Sequence, residues 1–150
     1  MKNIYLAGPI SSIEDWRELL FPALKSKKAP TEYGDFRCVG PFWADRYSHG
    51  ARAGELKRDI WSRNNAALAT ADLVFAWING DACYGTIAEI VEASKHRIPV
   101  ALTFGPNTAI SEHWYVAQYA QDLLIPCRVH RDDLRVVFSD VIRKTEWRAR

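Results

Sequence analysis

The sequence has no long apolar run and few cysteines, and these absences exclude several classes of protein. Its longest apolar run, Leu73 to Ile78, is far shorter than the roughly 20 residues that a membrane-spanning helix needs. Its three cysteines, Cys38, Cys83 and Cys127, are an odd number without the spacing of metal ligands. The sequence therefore predicts reduced thiols, no metal site, no membrane contact and a cytoplasmic location.

A large excess of charge of either sign is also lacking. The chain has 20 Lys and Arg against 18 Asp and Glu, which gives no electrostatic reason to expect nucleic-acid binding. Lys2 is followed by only a short apolar run before Gly8, so no signal peptide is predicted. With 150 residues, 48% of them hydrophobic, and no internal repeat, the sequence predicts a single domain over residues 1–150.

Short β-rich runs alternate with helical patterns along the chain. The predicted strands are residues 3–7, 36–39, 73–78, 98–104 and 124–129, and the predicted helices are residues 13–24, 55–71, 87–96, 111–121 and 133–142. This alternation predicts an α/β fold with a doubly wound parallel sheet. Five strands favour the flavodoxin-like order 2-1-3-4-5, in which the switch point lies between strands one and three.

The stretch from Asn79 to Glu89 connects the most apolar predicted strand to a helix. Open α/β sheets bind ligands in the crevice at the carboxyl ends of their strands, beside the switch point. The predicted order brings this stretch next to the loop from Gly8 to Ser11, which follows the first strand. We therefore expect the ligand site between these two loops.

Glu89 has two interpretations from the residues alone. In the first, Thr86 caps the helix and Glu89, three residues later, bonds back to the Thr86 amide in a capping box. In the second, Glu89 is a carboxylate nucleophile or an acid–base group. The predicted topology places Glu89 at the ligand crevice and so adds weight to the second interpretation.

Three segments, in order, resemble the nucleoside 2-deoxyribosyltransferase family. Ile-Tyr-Leu-Ala-Gly-Pro at residues 4–9 resembles its opening, Ala-Asp-Leu-Val-Phe-Ala-Trp at residues 71–77 is similar to its central strand, and Gly-Thr-Ile-Ala-Glu-Ile at residues 85–90 is similar to its glutamate motif. The resemblance implies a flavodoxin-like fold and cleavage of the N-glycosidic bond of a (deoxy)nucleoside. It also implies transfer of the deoxyribosyl group to another base.

The resemblance also implies roles for individual residues. Glu89 would be the catalytic nucleophile and would form a covalent glycosyl-enzyme intermediate, and Tyr5 would hydrogen-bond Glu89 and orient it. The alternative for Tyr5 is a core tyrosine with a satisfied hydroxyl. The partner implied is a small-molecule nucleoside or nucleotide, no cofactor is expected, and the family tendency to build sites across subunits implies a homo-oligomer.

Eleven further residues are candidates for binding the substrate. They are Gly8, Pro9, Ile10, Ser11, Trp43, Asn64, Asp81, Cys83, Tyr84, Gly85 and Thr86. Two of them depart from the family, which often has an Asp that contacts the base where this chain has Cys83, and an Asp that contacts the sugar where it has Asn64. Asp81 or Tyr84 could replace the first contact, although Asp81 also fits a turn.

Two alternatives for the function stay open. The first is hydrolysis of a nucleoside 5'-monophosphate or of NAD by the same chemistry, with a phosphate near Gly8, Ser11 and Ser12. Arg17, Arg52 or Arg58 could assist there, but each also fits a surface charge. The second is a non-catalytic nucleotide-binding module, for which the replacements at Cys83 and Asn64 are the sequence argument.

Overall fold

The computed structural model describes residues 1–10, 15–25, 29–41, 57–80 and 83–147. Its strands are β1 (Lys2–Ala7), β2 (Thr31–Tyr33), β3 (Phe36–Gly40), β4 (Leu73–Ile78), β5 (Val100–Phe104) and β6 (Leu124–Arg128). Its α-helices are α1 (Arg17–Leu20), α2 (Lys57–Ala69), α3 (Tyr84–Lys95), α4 (Trp114–Ala117) and α5 (Leu134–Lys144). Short 3₁₀ turns cover Pro22–Lys25, Ile110–His113, Gln121–Leu123 and Arg131–Asp133.

A six-stranded sheet in the order β2-β3-β1-β4-β5-β6 forms the centre of the fold. Strands β3, β1, β4, β5 and β6 are parallel, and β2 pairs antiparallel with β3. The predicted α/β class is confirmed. The predicted five-stranded, all-parallel sheet is wrong, because an antiparallel strand is added at the edge. The five parallel strands keep the order 2-1-3-4-5 among themselves.

The added strand belongs to a tight hairpin. Gly34, at the turn between β2 and β3, has a φ of 60°, a conformation that a residue without Cβ adopts at no steric cost. The turn itself is visible in the sequence, but three residues from Thr31 to Tyr33 are too few to show a strand periodicity. The strand was missed for that reason.

Each face of the sheet has its own hydrophobic core. Successive residues of a strand point to opposite faces. In β1, Ile4 contributes to the core under α1 and α5, whereas Tyr5 contributes to the core under α2 and α3. All six residues of β4 are buried, as expected for the central strand of a doubly wound sheet. The side chain of Tyr5 therefore points towards α3.

The predicted helix over residues 111–121 is wrong as a continuous element. The structure has a 3₁₀ turn, Ile110–His113, followed by the single turn of α4. Neither segment has a side-chain hydrogen bond at its N-cap. Val116 is the only buried residue in these two segments. A single buried position provides too little apolar contact to stabilise a longer helix.

No helix in the described ranges combines the length and apolarity that crossing a membrane requires.

Replacing Arg97 with Gly is expected to raise the free energy of unfolding by about 0.5–1 kcal/mol. Arg97 follows α3 with a φ of 55°, where the Cβ of a non-glycine residue is disfavoured. Urea denaturation would measure the change. Ala88→Gly is the matched control, because Ala88 is exposed inside α3. This variant should lower the free energy of unfolding by about 1 kcal/mol. A loss at both positions would contradict the strain argument for Arg97.

Candidate active site at the carboxyl ends of β1 and β4

A cavity of about 270 Å³ lies where β1 and β4 end. Its described lining consists of Gly8, Pro9, Ile10, Pro41, Asn64, Asn79, Gly80, Cys83, Gly85, Thr86 and Glu89. The chain leaves β1 towards β3 on one side, while β4 lies on the other, so this point is a topological switch. The cavity lies where the sequence predicts the ligand crevice.

Tyr5 and Glu89 meet at the wall of this cavity. The hydroxyl of Tyr5 donates a hydrogen bond of 2.6 Å to Oε1 of Glu89. Tyr5 is completely buried in β1, and Glu89 lies in the second turn of α3 with its side chain partly exposed. The predicted contact between these two residues is therefore present. Their catalytic roles stay predictions.

The capping-box interpretation of Glu89 is wrong. Helix α3 begins at Tyr84 and has Cys83 as its N-cap, so Thr86 is already inside the helix. Cys83 makes no side-chain hydrogen bond that caps the helix, and the first turn contains no acidic residue. The carboxylate of Glu89 binds the Tyr5 hydroxyl, 84 residues away in the chain, instead of the Thr86 amide. The contact joins a strand to a helix and does not cap the helix.

Burial dominates the protonation of both groups. It raises the pKa of Glu89 from 4.5 to about 7, against the lowering effects of the Tyr5 hydrogen bond and the charge of Arg17. Burial, together with the neighbouring Glu89, also raises the pKa of Tyr5 well above 10.0. Tyr5 is therefore a neutral donor, and Glu89 changes its charge near neutral pH. Shifted carboxyl groups of this kind are concentrated at functional sites.

Gly40, at the end of β3, makes room for the ring of Tyr5. A Cβ at this position would lie 2.7 Å from Cε2 of Tyr5, closer than real Cβ contacts come. Pro41, the next residue, lines the cavity. Neither residue was predicted to belong to the site. The only signal was a Gly-Pro pair at the end of a predicted strand, which indicated no more than the strand end.

The turn after β1 is held by a buried arginine. Arg17 is completely buried, and its guanidinium donates to the carbonyl oxygens of Leu6, Gly8 and Pro9 at 2.8, 2.8 and 3.0 Å. The expectation of a surface charge at Arg17 is wrong. Arg58, in contrast, is exposed, and Arg52 lies outside the described residues.

The loop after β4 is tied to the loop after β5. The amide of Gly80 donates to Oγ1 of Thr108 at 2.9 Å, and the Thr108 hydroxyl donates to the carbonyl of Ile78 at 2.9 Å. The amide of Asn107 donates to Oδ1 of Asn79 at 3.1 Å. These bonds fix the backbone that carries Asn79 and Gly80 into the cavity lining. Their roles were missed because the partners are far apart in the chain.

The cavity brings together seven of the eleven predicted binding residues. They are Gly8, Pro9, Ile10, Asn64, Cys83, Gly85 and Thr86. Tyr84 is 80% exposed at the start of α3 and is not part of the described lining. Ser11, Trp43 and Asp81 lie outside the described residues. Asn64 of α2 lies in the same lining as the residues of α3, and its contact with a substrate stays a prediction.

A larger cavity, about 660 Å³, lies at the opposite edge of the sheet, near the start of β5. Its charged residues are Arg97, Asp122, Lys144 and Glu146. It includes neither the Tyr5–Glu89 pair nor the strand ends at the switch point. The smaller cavity is the better candidate for an active site, because Glu89 lines it and binds the Tyr5 hydroxyl there. Within the described ranges, no cluster of three or more His, Cys, Asp and Glu residues could hold a metal ion.

No family model, curated protein or solved structure matches the chain. The choice of a function therefore depends on the contacts, burial and charges of the site, together with the resemblance of the three sequence segments. Each of these segments contributes to the cavity or to the strands that carry it.

Proposed function

We propose that the protein cleaves the N-glycosidic bond of a (deoxy)nucleoside at Glu89 and transfers the deoxyribosyl group to another base. The observation that carries the proposal is the hydrogen bond from Tyr5 to Oε1 of Glu89 at the wall of the switch-point cavity. No described residue forms an ion pair with Glu89 or a hydrogen bond to its Oε2. One carboxylate oxygen is thus oriented, and the other is available to react.

The reaction has two displacements at one carbon. Oε2 of ionised Glu89 forms a bond to the anomeric carbon while the bond to the base nitrogen breaks, and the base leaves with the electron pair. A nitrogen of the acceptor base then attacks the same carbon and releases Glu89 as a carboxylate, and the proton that this nitrogen loses balances the proton that the departed base takes up from water. The positive charge that develops on the sugar in each step is stabilised by the adjacent carboxylate. Two inversions retain the configuration of the sugar.

Tyr5 orients the nucleophile without neutralising it. A neutral hydroxyl donor fixes the position of Oε1 and moderates the rise in pKa that burial causes. An ion pair with a cation would hold the carboxylate more strongly but would also reduce its reactivity. Asn64, whose side chain lines the cavity, offers an amide for a sugar hydroxyl.

Cys83 lines the cavity where the family often has a base-contacting Asp. A thiol is a weak hydrogen-bond donor and a poor replacement for a carboxylate that must accept and donate. We therefore expect the base to be held by other groups as well, among them the backbone at Gly80 and Gly85. We therefore expect transfer to be less efficient than is usual in the family that the three segments resemble.

The proposal includes three further expectations: a flavodoxin-like fold and a homo-oligomer, which the resemblance implies, and a cytoplasmic location, which the cysteine content indicates. The five parallel strands in the order 2-1-3-4-5 support the first. Large apolar side chains stay exposed on α2, α3 and α4, which cover the same face of the sheet, and this supports subunit contact there. They are Trp61, Tyr84, Trp114 and Tyr115.

Hydrolysis of a nucleoside 5'-monophosphate is less well supported. Arg17, one of the predicted phosphate contacts, is already bonded to backbone carbonyls and to Asp15. Ser11, Ser12 and Arg52 lie outside the described residues. The two reactions share the first displacement and differ in whether a base or water completes it, so one experiment separates them.

Incubation with deoxynucleosides, ribonucleosides and their 5'-monophosphates, each with and without an acceptor base, is expected to release free base from deoxynucleosides and to form the exchanged nucleoside. Chromatography would measure both products. In NMR spectra, addition of substrate should shift the amide resonances of Tyr5, Gly8, Gly85 and Thr86 together. Shifts confined to the cavity at Arg97 would contradict the choice of site. Binding without any base release would support the non-catalytic module instead.

A further inference from the structure

Arg17 makes more contacts with the wall of the candidate site than any role as a surface charge explains. Besides its three carbonyl partners, its Nη1 forms an ion pair of 3.1 Å with Asp15, and its guanidinium lies 4.7 Å from the centre of the Trp16 ring. Asp15 and Arg17 are 1% and 0% exposed. The contacts surround the chain from Leu6 to Pro9, which is the end of β1 and the start of the cavity wall.

The same turn is fixed from a second direction. The indole nitrogen of Trp16 donates to the carbonyl of Pro9 at 3.0 Å. A Cβ at Gly8 would lie 2.7 Å from the carbonyl oxygen of Trp77 and 2.8 Å from Cζ2 of Trp16. The turn therefore packs against α1 and β4 with no spare space. Gly8, Pro9 and the following Ile10 present the opposite side of this turn to the cavity.

A buried ion pair is an inefficient way to stabilise a fold. Removing two charges from water costs free energy that their mutual attraction often does not recover. Apolar residues of similar volume at the same positions often give a fold that is equally stable. A planar guanidinium offers what apolar residues and Lys lack, namely several N–H groups in a rigid fork that can bind several carbonyls at once. The contacts of Arg17 use that property, which suggests that the shape of the turn is what the residue maintains.

We propose that Arg17 is a positioning residue of the site: its guanidinium holds the Gly8–Ile10 turn in the shape that forms the cavity wall. This inference rests on the proposed function for its kinetic consequence. Its two structural consequences, the shape of the turn and the charge state of Glu89, can be measured without substrate.

Among the residues that the structure describes, few other groups can affect the charge of Glu89. Tyr5 faces Glu89 from β1, and Cys83 precedes it at the start of α3. Strands β4 and β5 contain no charged residue. Helix α2 carries charged residues, but its contribution to the described cavity lining is the uncharged Asn64. Arg17 lowers the pKa of Glu89, while burial raises it.

The test compares Arg17→Lys, which keeps the charge but loses the fork, with Arg17→Met, which loses both. Glu89 is followed by ¹³C NMR titration of its carboxyl group, and the turn by the amide shifts of Gly8 and Ile10, both in the absence of substrate. Arg143→Met, on the exposed face of α5, is the control. The double variant Asp15→Asn, Arg17→Met removes the charge of Asp15 as well, and it replaces Arg17→Met in the comparison if that variant does not fold.

Both variants are expected to shift the Gly8 and Ile10 amides, and only the loss of charge is expected to move the Glu89 titration to higher pH. With substrate, Arg17→Lys should raise KM about tenfold at unchanged pH dependence, and Arg17→Met or the double variant should also move the acid limb of kcat/KM upward. Unchanged amide shifts and an unchanged Glu89 titration would overturn the inference. Shifts as expected in a protein that releases no base would reject the proposed function alone.

Discussion

Glu89→Gln is expected to lower base release by roughly three orders of magnitude or more, because an amide cannot form the glycosyl ester on which the proposed reaction depends. The side chain keeps its shape and can still accept the hydrogen bond from Tyr5. The variant should therefore fold and bind substrate. Rates of base release, with binding followed by calorimetry, separate the loss of chemistry from the loss of affinity.

The same substitution is expected to stabilise the protein at alkaline pH. Burial raises the pKa of the Glu89 carboxyl from 4.5, the ordinary value of a solvated glutamate, to about 7 in the fold. Its contribution to stability is fully present below pH 4.5 and is lost as the pH rises through 7. At pH 8 the native protein thus carries a poorly solvated carboxylate, and Gln should raise the free energy of unfolding by about 1–3 kcal/mol. Near pH 4 the difference should be small.

Glu92→Gln is the matched control for Glu89→Gln. Glu92 is one turn further along α3 and pairs with Lys95 and His96 at the surface. Base release should stay near the native rate in this variant. Base release by Glu89→Gln at the native rate would contradict the nucleophile hypothesis. A loss of stability in Glu89→Gln at pH 8 would show that burial of the Glu89 carboxylate does not destabilise the fold.

The contact between Tyr5 and Glu89 was expected from the resemblance of the three segments, and the predicted strand order agrees with it. The apolar runs at 3–7 and 73–78 indicate adjacent buried strands, and parallel strands place their carboxyl ends at one edge. The loop after the second run then brings α3 over that edge. The α/β class was anticipated for the same reason. What the periodicity could not show was the three-residue edge strand, Thr31–Tyr33.

The support around the contact could not be anticipated, because its partners are backbone atoms. Arg17 binds the carbonyls of Leu6, Gly8 and Pro9, and a carbonyl has no residue-specific signature in a sequence. The role of Gly40 depends on the distance from its missing Cβ to the Tyr5 ring across two strands, which no local pattern encodes. The start of α3 was placed late because a Thr-x-x-Glu spacing is typical of a helix start.

Tyr5→Phe should produce the second large effect, since it removes one oxygen and leaves the buried ring in place. The hydrogen bond to Oε1 of Glu89 lowers the pKa of that carboxyl, so its loss raises a pKa that is already about 7. A hydrogen bond to a charged group contributes about 1.5–3 kcal/mol, which corresponds to a rise of about 1–2 pH units. At pH 7 the ionised fraction of Glu89 falls by a factor of about 5–50.

The profile of kcat/KM against pH distinguishes this effect from simple loss of packing. In Tyr5→Phe the acid limb should move upward by about 1–2 pH units, so that the activity lost at pH 7 is partly regained near pH 9. Recovery should stay incomplete, because Oε1 is no longer held in one position. Tyr33→Phe, at the exposed edge strand β2, is the control and should leave the profile unchanged. A uniform loss of activity at every pH would show that Tyr5 supports the core alone, since a packing defect does not depend on the charge of Glu89.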